Sequence, residues 1–187
     1  MISLVFIRHG ATKGNLEKRY IGRTDEPLSE KGRAELSEMK YPDCDIVISS
    51  PMKRCRETAE MICSHKKIIC VGGLEECDFG DFEGKNYLEL SGDPNYQKWI
   101  DSGGRLPFPN GEDTEAFKKR CISAFEKAVE KYTDIGGISF VVHGGTIMSI
   151  LEKYAVPKKD YFDFQVKNGH GFITEFDGKK ITILEQI

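Results

Sequence analysis

The chain has 187 residues, of which 39% are hydrophobic and 30% charged, and a formal net charge of −3 at neutral pH. That balance is ordinary for one soluble globular domain with a full core. It excludes a membrane span, because no apolar run reaches the roughly 20 residues required. It also gives nucleic acid no electrostatic invitation, so any anion site must be a local pocket. The apolar start at 1–7 is cut by Arg8-His9, too short for a secretory leader, and cytoplasmic residence is expected. Cys44, Cys55, Cys63, Cys70, Cys77 and Cys121 show neither C-x-x-C spacing nor a zinc-finger histidine offset. They read as reduced thiols acting as small apolar fillers, with no metal site.

Residues 2–8 read as a first strand, rich in β-branched residues and short enough to be buried. A helix is expected to about residue 39, with Ser29 as its N-cap. A strand at 45–49 and a helix at 52–64 follow, then a short strand at 67–71 stopped by Gly72-Gly73. Residues 74–110 lack periodicity and are crowded with Gly, Pro, aromatic and acidic residues, which marks a lid over a site. Residues 112–132 form the clearest amphipathic helix, with Phe117, Cys121, Ala124, Phe125, Ala128 and Tyr132 on one face. A strand at 138–142 and a helix at 146–154 come next. The tail alternates on both sides of Asp177-Gly178, the mark of a β-hairpin, placed at a sheet edge. The expected fold is α/β: a single domain over 1–187, a three-layer sandwich with a mainly parallel sheet and helices on both faces.

In such a sheet, ligands gather outside the carboxyl ends of the strands. Arg8-His9-Gly10, the stretch from Ser49 to Arg54, and His143-Gly144-Gly145 each follow an apolar run. One rim would therefore collect Arg8, His9, Arg54 and His143, two guanidinium groups and two imidazoles, a set suited to a phosphoryl group. Arginine grips two phosphate oxygens at once, and a neutral imidazole can attack phosphorus. Gly10 is expected to turn the backbone tightly, and Thr12 and Asn15 to add donors. Arg54 sits in a first helical turn, where the dipole disfavours a cation unless an anion is bound. A protonated His143 would neutralise developing charge. The leaving oxygen needs an acid, and a carboxyl that a lid desolvates holds its proton more tightly. Glu75, Glu76, Asp78 and Asp81 are equal candidates on the residues alone.

The chain resembles the histidine phosphatase superfamily, the group of cofactor-dependent phosphoglycerate mutases and related phosphatases. The resemblance rests on the stretches 8–15, 20–29, 49–59, 74–84 and 142–145, which occur in family order. It implies a phosphoglycerate mutase-like fold, His9 as nucleophile, and Arg8, Asn15, Arg54 and His143 around the phosphate. It picks Glu76 as proton donor and places Gly22 near the substrate, where Gly144, as one of two glycines after a strand, is already expected to offer its backbone N–H to a ligand. Cys77 follows Glu76 where the mutases carry a basic residue, and the stretch from Glu76 to His143 is shorter, so the resemblance favours hydrolysis. It is greatest to α-ribazole phosphatases of cobalamin assembly and broad-specificity phosphatases, which implies a small phosphorylated metabolite such as α-ribazole 5'-phosphate as partner. Phe82, Tyr87, Trp99 and Phe108 would then form an aromatic wall for a flat ring. No metal or other cofactor is expected, nor any nucleic-acid or membrane partner, and the oligomeric state is left open. The alternatives are a phosphoglycerate mutase and a non-catalytic phosphate-binding module on the same fold.

Overall fold

Alternating side chains organise the central strands of the computed structural model, which describes residues 1–132 and 134–187. The strands are β1 (Ile2–Arg8), β2 (Ile46–Ser49), β3 (Lys67–Cys70), β4 (Gly137–Val142), β5 (Ala155–Val156), β6 (Gly171–Phe176) and β7 (Ile181–Gln186). The helices are α1 (Lys13–Leu16), α2 (Glu30–Glu38), α3 (Lys53–Ile62), α4 (Pro94–Asp101), α5 (Thr114–Lys131) and α6 (Gly144–Tyr154). One seven-stranded sheet runs in the order β3-β2-β4-β1-β6-β7-β5. β3, β2, β4 and β1 are parallel, while β6 runs antiparallel to both β1 and β7.

Leu4, Phe6, Ile46, Ile48, Ile138 and Phe140 share one core with residues of α5 and α6. Val47 and Val141 point the other way and pack with Cys55 and Ala59 of α3. Each of these strands is thus buried on both faces, which is why it reads as a continuous apolar run. Phe6, Phe125 and Phe140 meet at ring-centroid distances of 5.4–5.9 Å. Truncating one of them would cost about 3–5 kcal/mol. The expected hairpin is present as β6–β7. It does not sit at the edge: β6 lies beside β1 and β5 forms the border, because Thr174 and its neighbours supply a half-buried strand face.

Ser29 caps α2 through the Gly32 N–H at 2.9 Å, as expected. The parallel order brings the ends of β1, β2 and β4 side by side. His9 follows β1, Ser50 follows β2, and His143 is the N-cap of α6 directly after β4. Residues 74–110 contain a 3₁₀ turn at Gly80–Phe82 and α4. They carry a small aromatic core of their own, in which Phe82, Leu90 and Phe108 lean on Phe117 and Cys121 of α5. All six cysteines are free thiols, five of them buried.

Candidate active site

His9 and His143 face each other with ring centroids 5.1 Å apart, edge to face. Both are buried, at 3% and 0% exposure. Nδ1 of His9 lies 2.8 Å from the Gly10 carbonyl oxygen. A carbonyl only accepts, so Nδ1 carries the proton and Nε2 keeps its lone pair. Burial first, then the charges of Arg54 and Arg8, hold His9 well below the usual histidine range. The ring is therefore a neutral imidazole at neutral pH. His143 is pushed the same way by burial, Arg54, His9, Arg8 and Arg120. This corrects the expectation of a histidinium: the fixed positive charge of the site is that of Arg8 and Arg54. Nε2 of His143 and the Ser50 hydroxyl lie 2.8 Å apart.

Arg54, in the first turn of α3, is fully buried. Its Nη1 donates to the Thr24 carbonyl at 2.9 Å and its Nη2 to the Gly22 carbonyl at 2.9 Å. Arg8 donates from Nη1 to the Val166 carbonyl at 2.8 Å. The Nε atoms of Arg8 and Arg54 are buried and have no hydrogen-bond partner. Unpaired buried donors of this kind cost free energy unless a ligand satisfies them. Gly144 heads α6 and lines the cavity beside Arg8, so the helix's positive end faces the same place.

Glu76 is the one member of the acidic cluster that lines the cavity. Its Oε1 accepts from the Cys77 N–H at 3.0 Å and its Oε2 from the Gly145 N–H at 3.2 Å. Glu75 accepts from the Gly73 N–H, Asp78 pairs with Arg23, and Asp81 accepts from Asn110. The structure thereby separates four carboxylates that the sequence left equal. Arg120 holds the segment carrying Glu76 through the carbonyls of Gly73, Glu75 and Glu76 at 2.9–3.1 Å, while Glu112 grips the same guanidinium at 2.6 and 2.8 Å.

Several expected roles change. Gly22, like Arg54 and His143, lies behind the cavity wall; its carbonyl holds Arg54, and a Cβ there would meet the Cys77 carbonyl oxygen at 1.9 Å. Gly10 is needed for packing, since a Cβ would meet Leu36 at 2.6 Å. Thr12 is fully buried and off the cavity wall, its hydroxyl capping α1 by accepting from the Asn15 N–H, so it does not join the phosphate donors. Asn15 does line the cavity. Phe82 is buried inside the 74–110 segment and Tyr87 is 50% exposed. Trp99 and Phe108 alone of the four expected aromatics reach the cavity, joined there by Tyr20 and Phe79. The cavity measures about 570 Å³. Its far side is built by residues the sequence reading missed, among them Lys118, Glu152, Tyr161 and Gln165. Glu83 was missed as well. Its Oε1 accepts from the N–H groups of Gly22 and Thr24, pinning the loop whose carbonyls hold Arg54.

A parallel sheet edge bearing a buried neutral imidazole, two unpaired guanidinium donors and the cavity carboxylate of Glu76 suits a protein that handles phosphoryl groups. The chain belongs to the histidine phosphatase superfamily (branch 1), whose family model matches residues 4–186. It is similar to the adenosylcobalamin/alpha-ribazole phosphatase of Salmonella typhimurium, 25% identical over 89% of this chain and 86% of that one. It is also similar to the 2,3-bisphosphoglycerate-dependent phosphoglycerate mutase 2 of Gloeobacter violaceus, 32% identical over 81% of this chain and 74% of that one. Among solved structures, a phosphoserine phosphatase from Entamoeba histolytica, crystallised with 3-phosphoglyceric acid, superposes with a TM-score of 0.82. It is 26% identical and covers 100% of this chain and 96% of its own. No helix among the described residues is long and apolar enough to cross a membrane.

Proposed function

We propose that this protein hydrolyses small phosphomonoesters in two displacements through a phosphohistidine at His9. The observation that carries the reading is the pair of buried, unpartnered Nε donors of Arg8 and Arg54, two cations whose charges both act on a neutral His9. Nε2 of His9 attacks phosphorus as the bond to the ester oxygen breaks, and Glu76 gives that oxygen its proton. The same carboxylate, then ionised, takes a proton from the water that displaces phosphate from His9. Arg8, Arg54, Asn15, His143 and the head of α6 hold the non-bridging oxygens. The guanidinium groups supply the charge that metal ions supply to other phosphoryl-transfer enzymes. Residues 74–110 act as the lid.

The substrate we favour is one with a flat ring on the ester side, such as α-ribazole 5'-phosphate, which would place the protein in cobalamin assembly. Tyr20, Phe79, Trp99 and Phe108 on the cavity wall support this. Cys77, uncharged and buried beside Glu76, weighs against retention of a bisphosphorylated intermediate. Six unpaired thiols fit a cytoplasmic setting. A panel of phosphorylated metabolites assayed with wild type and His9→Ala tests the reading. Phosphate release with acid-labile labelling of wild type, both absent from His9→Ala, is expected. Isomerisation of 3-phosphoglycerate without phosphate release, or near-normal turnover by His9→Ala, would overturn it.

A further inference from the structure

Asn168 lies on the loop before β6, outside every stretch that the sequence reading singled out. Its side-chain NH2 group donates to the His9 carbonyl oxygen at 3.1 Å and to Asn15 Oδ1 at 3.1 Å. An amide side chain can turn end for end at almost no cost in volume, so its orientation must be set by its partners. Here the partners leave no choice. The His9 carbonyl only accepts, which fixes the NH2 end of Asn168 against it. The Thr12 backbone N–H only donates, and at 3.2 Å it fixes Oδ1 of Asn15. Asn15 Oδ1 thus receives two donors. Its own NH2 is the end left over, and no hydrogen bond to that group occurs among the described residues. Asn15 lines the cavity beside Arg8 and His9.

We propose that Asn168 is a positioning residue of the phosphoryl site: it locks the Asn15 amide so that NH2 rather than Oδ1 meets a phosphate oxygen. The inference rests on the phosphate-binding reading of the cavity. Without Asn168, Thr12 alone holds Asn15 through one long hydrogen bond. That one bond is too little to keep the NH2 group at the place of the oxyanion, and the hydrogen bond from Asn15 to the phosphate oxygen is lost.

The test is a double-mutant cycle over Asn168→Ala and Asn15→Ala, with vanadate as the phosphate mimic. Vanadate affinity is read by titration, alongside thermal melting. In the parent background, Asn168→Ala should weaken vanadate binding roughly tenfold or more, the scale of one hydrogen bond to a charged group. In the Asn15→Ala background the same change should cost under about twofold, because there is no amide left to orient. A merely structural role would lower melting and leave the two losses additive; equal losses in both backgrounds, or none in either, would overturn the proposal. Asn168→Ser takes the place of the alanine variant if that variant melts below the assay temperature. A wild type that binds vanadate but does not turn over p-nitrophenyl phosphate removes the hydrolase reading and leaves the cycle decisive. A wild type that binds no vanadate removes both.

Discussion

Gly145→Ala separates proton donation from the rest of the site. A Cβ at this position would stand 2.4 Å from Glu76 Oε1 and 2.9 Å from Phe117 Cζ. Ordinary van der Waals contact begins near 3.4 Å, so the carboxylate must retreat by about 1 Å or tilt away. Either movement breaks the 3.2 Å bond from the Gly145 N–H to Oε2, which helps aim the group. A 1 Å misplacement of a catalytic group costs on the order of 10²-fold, within the span that general acid catalysis contributes. The expected outcome is a fall of roughly 10²-fold in kcat/KM for alkyl phosphates. For p-nitrophenyl phosphate, whose leaving group departs without a proton, the loss should stay under about tenfold. Stability moves little. Alanine in the first turn of α6 gains about 0.5–1 kcal/mol over glycine, set against about 1–3 kcal/mol of overpacking at Phe117. A melt shows that balance as a drop of a few degrees. Steady-state kinetics on the two substrate types at 25 °C decide the matter. An alkyl-phosphate rate within threefold of wild type, or equal losses on both substrates, would refute the placement of Glu76 as acid.

Acid should destabilise the fold through the two buried imidazoles. Both bind a proton less readily folded than unfolded, so the stability they contribute is whole above about pH 6.5 and is lost as pH falls below it. From pH 7.5 to 5.5 the two together lose about 2.5 kcal/mol, a drop of roughly 5–10 °C in Tm; His9→Gln should halve it, and a flat profile would count against the burial argument. Arg120→Met removes the clamp on the Glu76 segment and leaves Glu112 without its cation. A loss of about 2–3 kcal/mol is expected on melting, with alkyl-phosphate turnover falling more than p-nitrophenyl phosphate turnover. Extended dialysis against EDTA should leave kcat unchanged, and strict recovery on adding magnesium would sink the guanidinium-only scheme.

The strand pattern was legible because β1, β2 and β4 are buried on both faces, and burial on both faces writes itself as an unbroken apolar run. Two of the three strand-end motifs were legible for a similar reason: a glycine or a cation following such a run has few structural uses. What stayed hidden depends on main-chain atoms. Arg54 is aimed by the carbonyls of residues 22 and 24, and a carbonyl has no residue code. Gly22 was placed near the substrate by the resemblance alone, and its carbonyl, which holds Arg54, leaves no mark in the sequence. Glu76 cannot be told from Glu75, Asp78 or Asp81 by type, since three of the four differ only in which N–H or cation they meet. Asn168 stands 153 residues from the side chain it orients, beyond any local pattern.

The choice of carbonyls over carboxylates around the two arginines is what makes the site an anion receptor. A buried guanidinium is costly, and the common remedy is an acidic partner. Such a partner would cancel the charge and take the donors that a phosphoryl group needs. Carbonyl oxygens do half of that task. They accept from both Nη atoms of Arg54 and from Nη1 of Arg8 and offset part of the desolvation, yet leave the positive charge and the Nε donors unspent. Burial, and after it the same fields that await an anion, keep His9 in its neutral form. One arrangement therefore prepares both partners of the first displacement: the oxyanion finds its donors unpaired, and phosphorus finds the lone pair on Nε2 free.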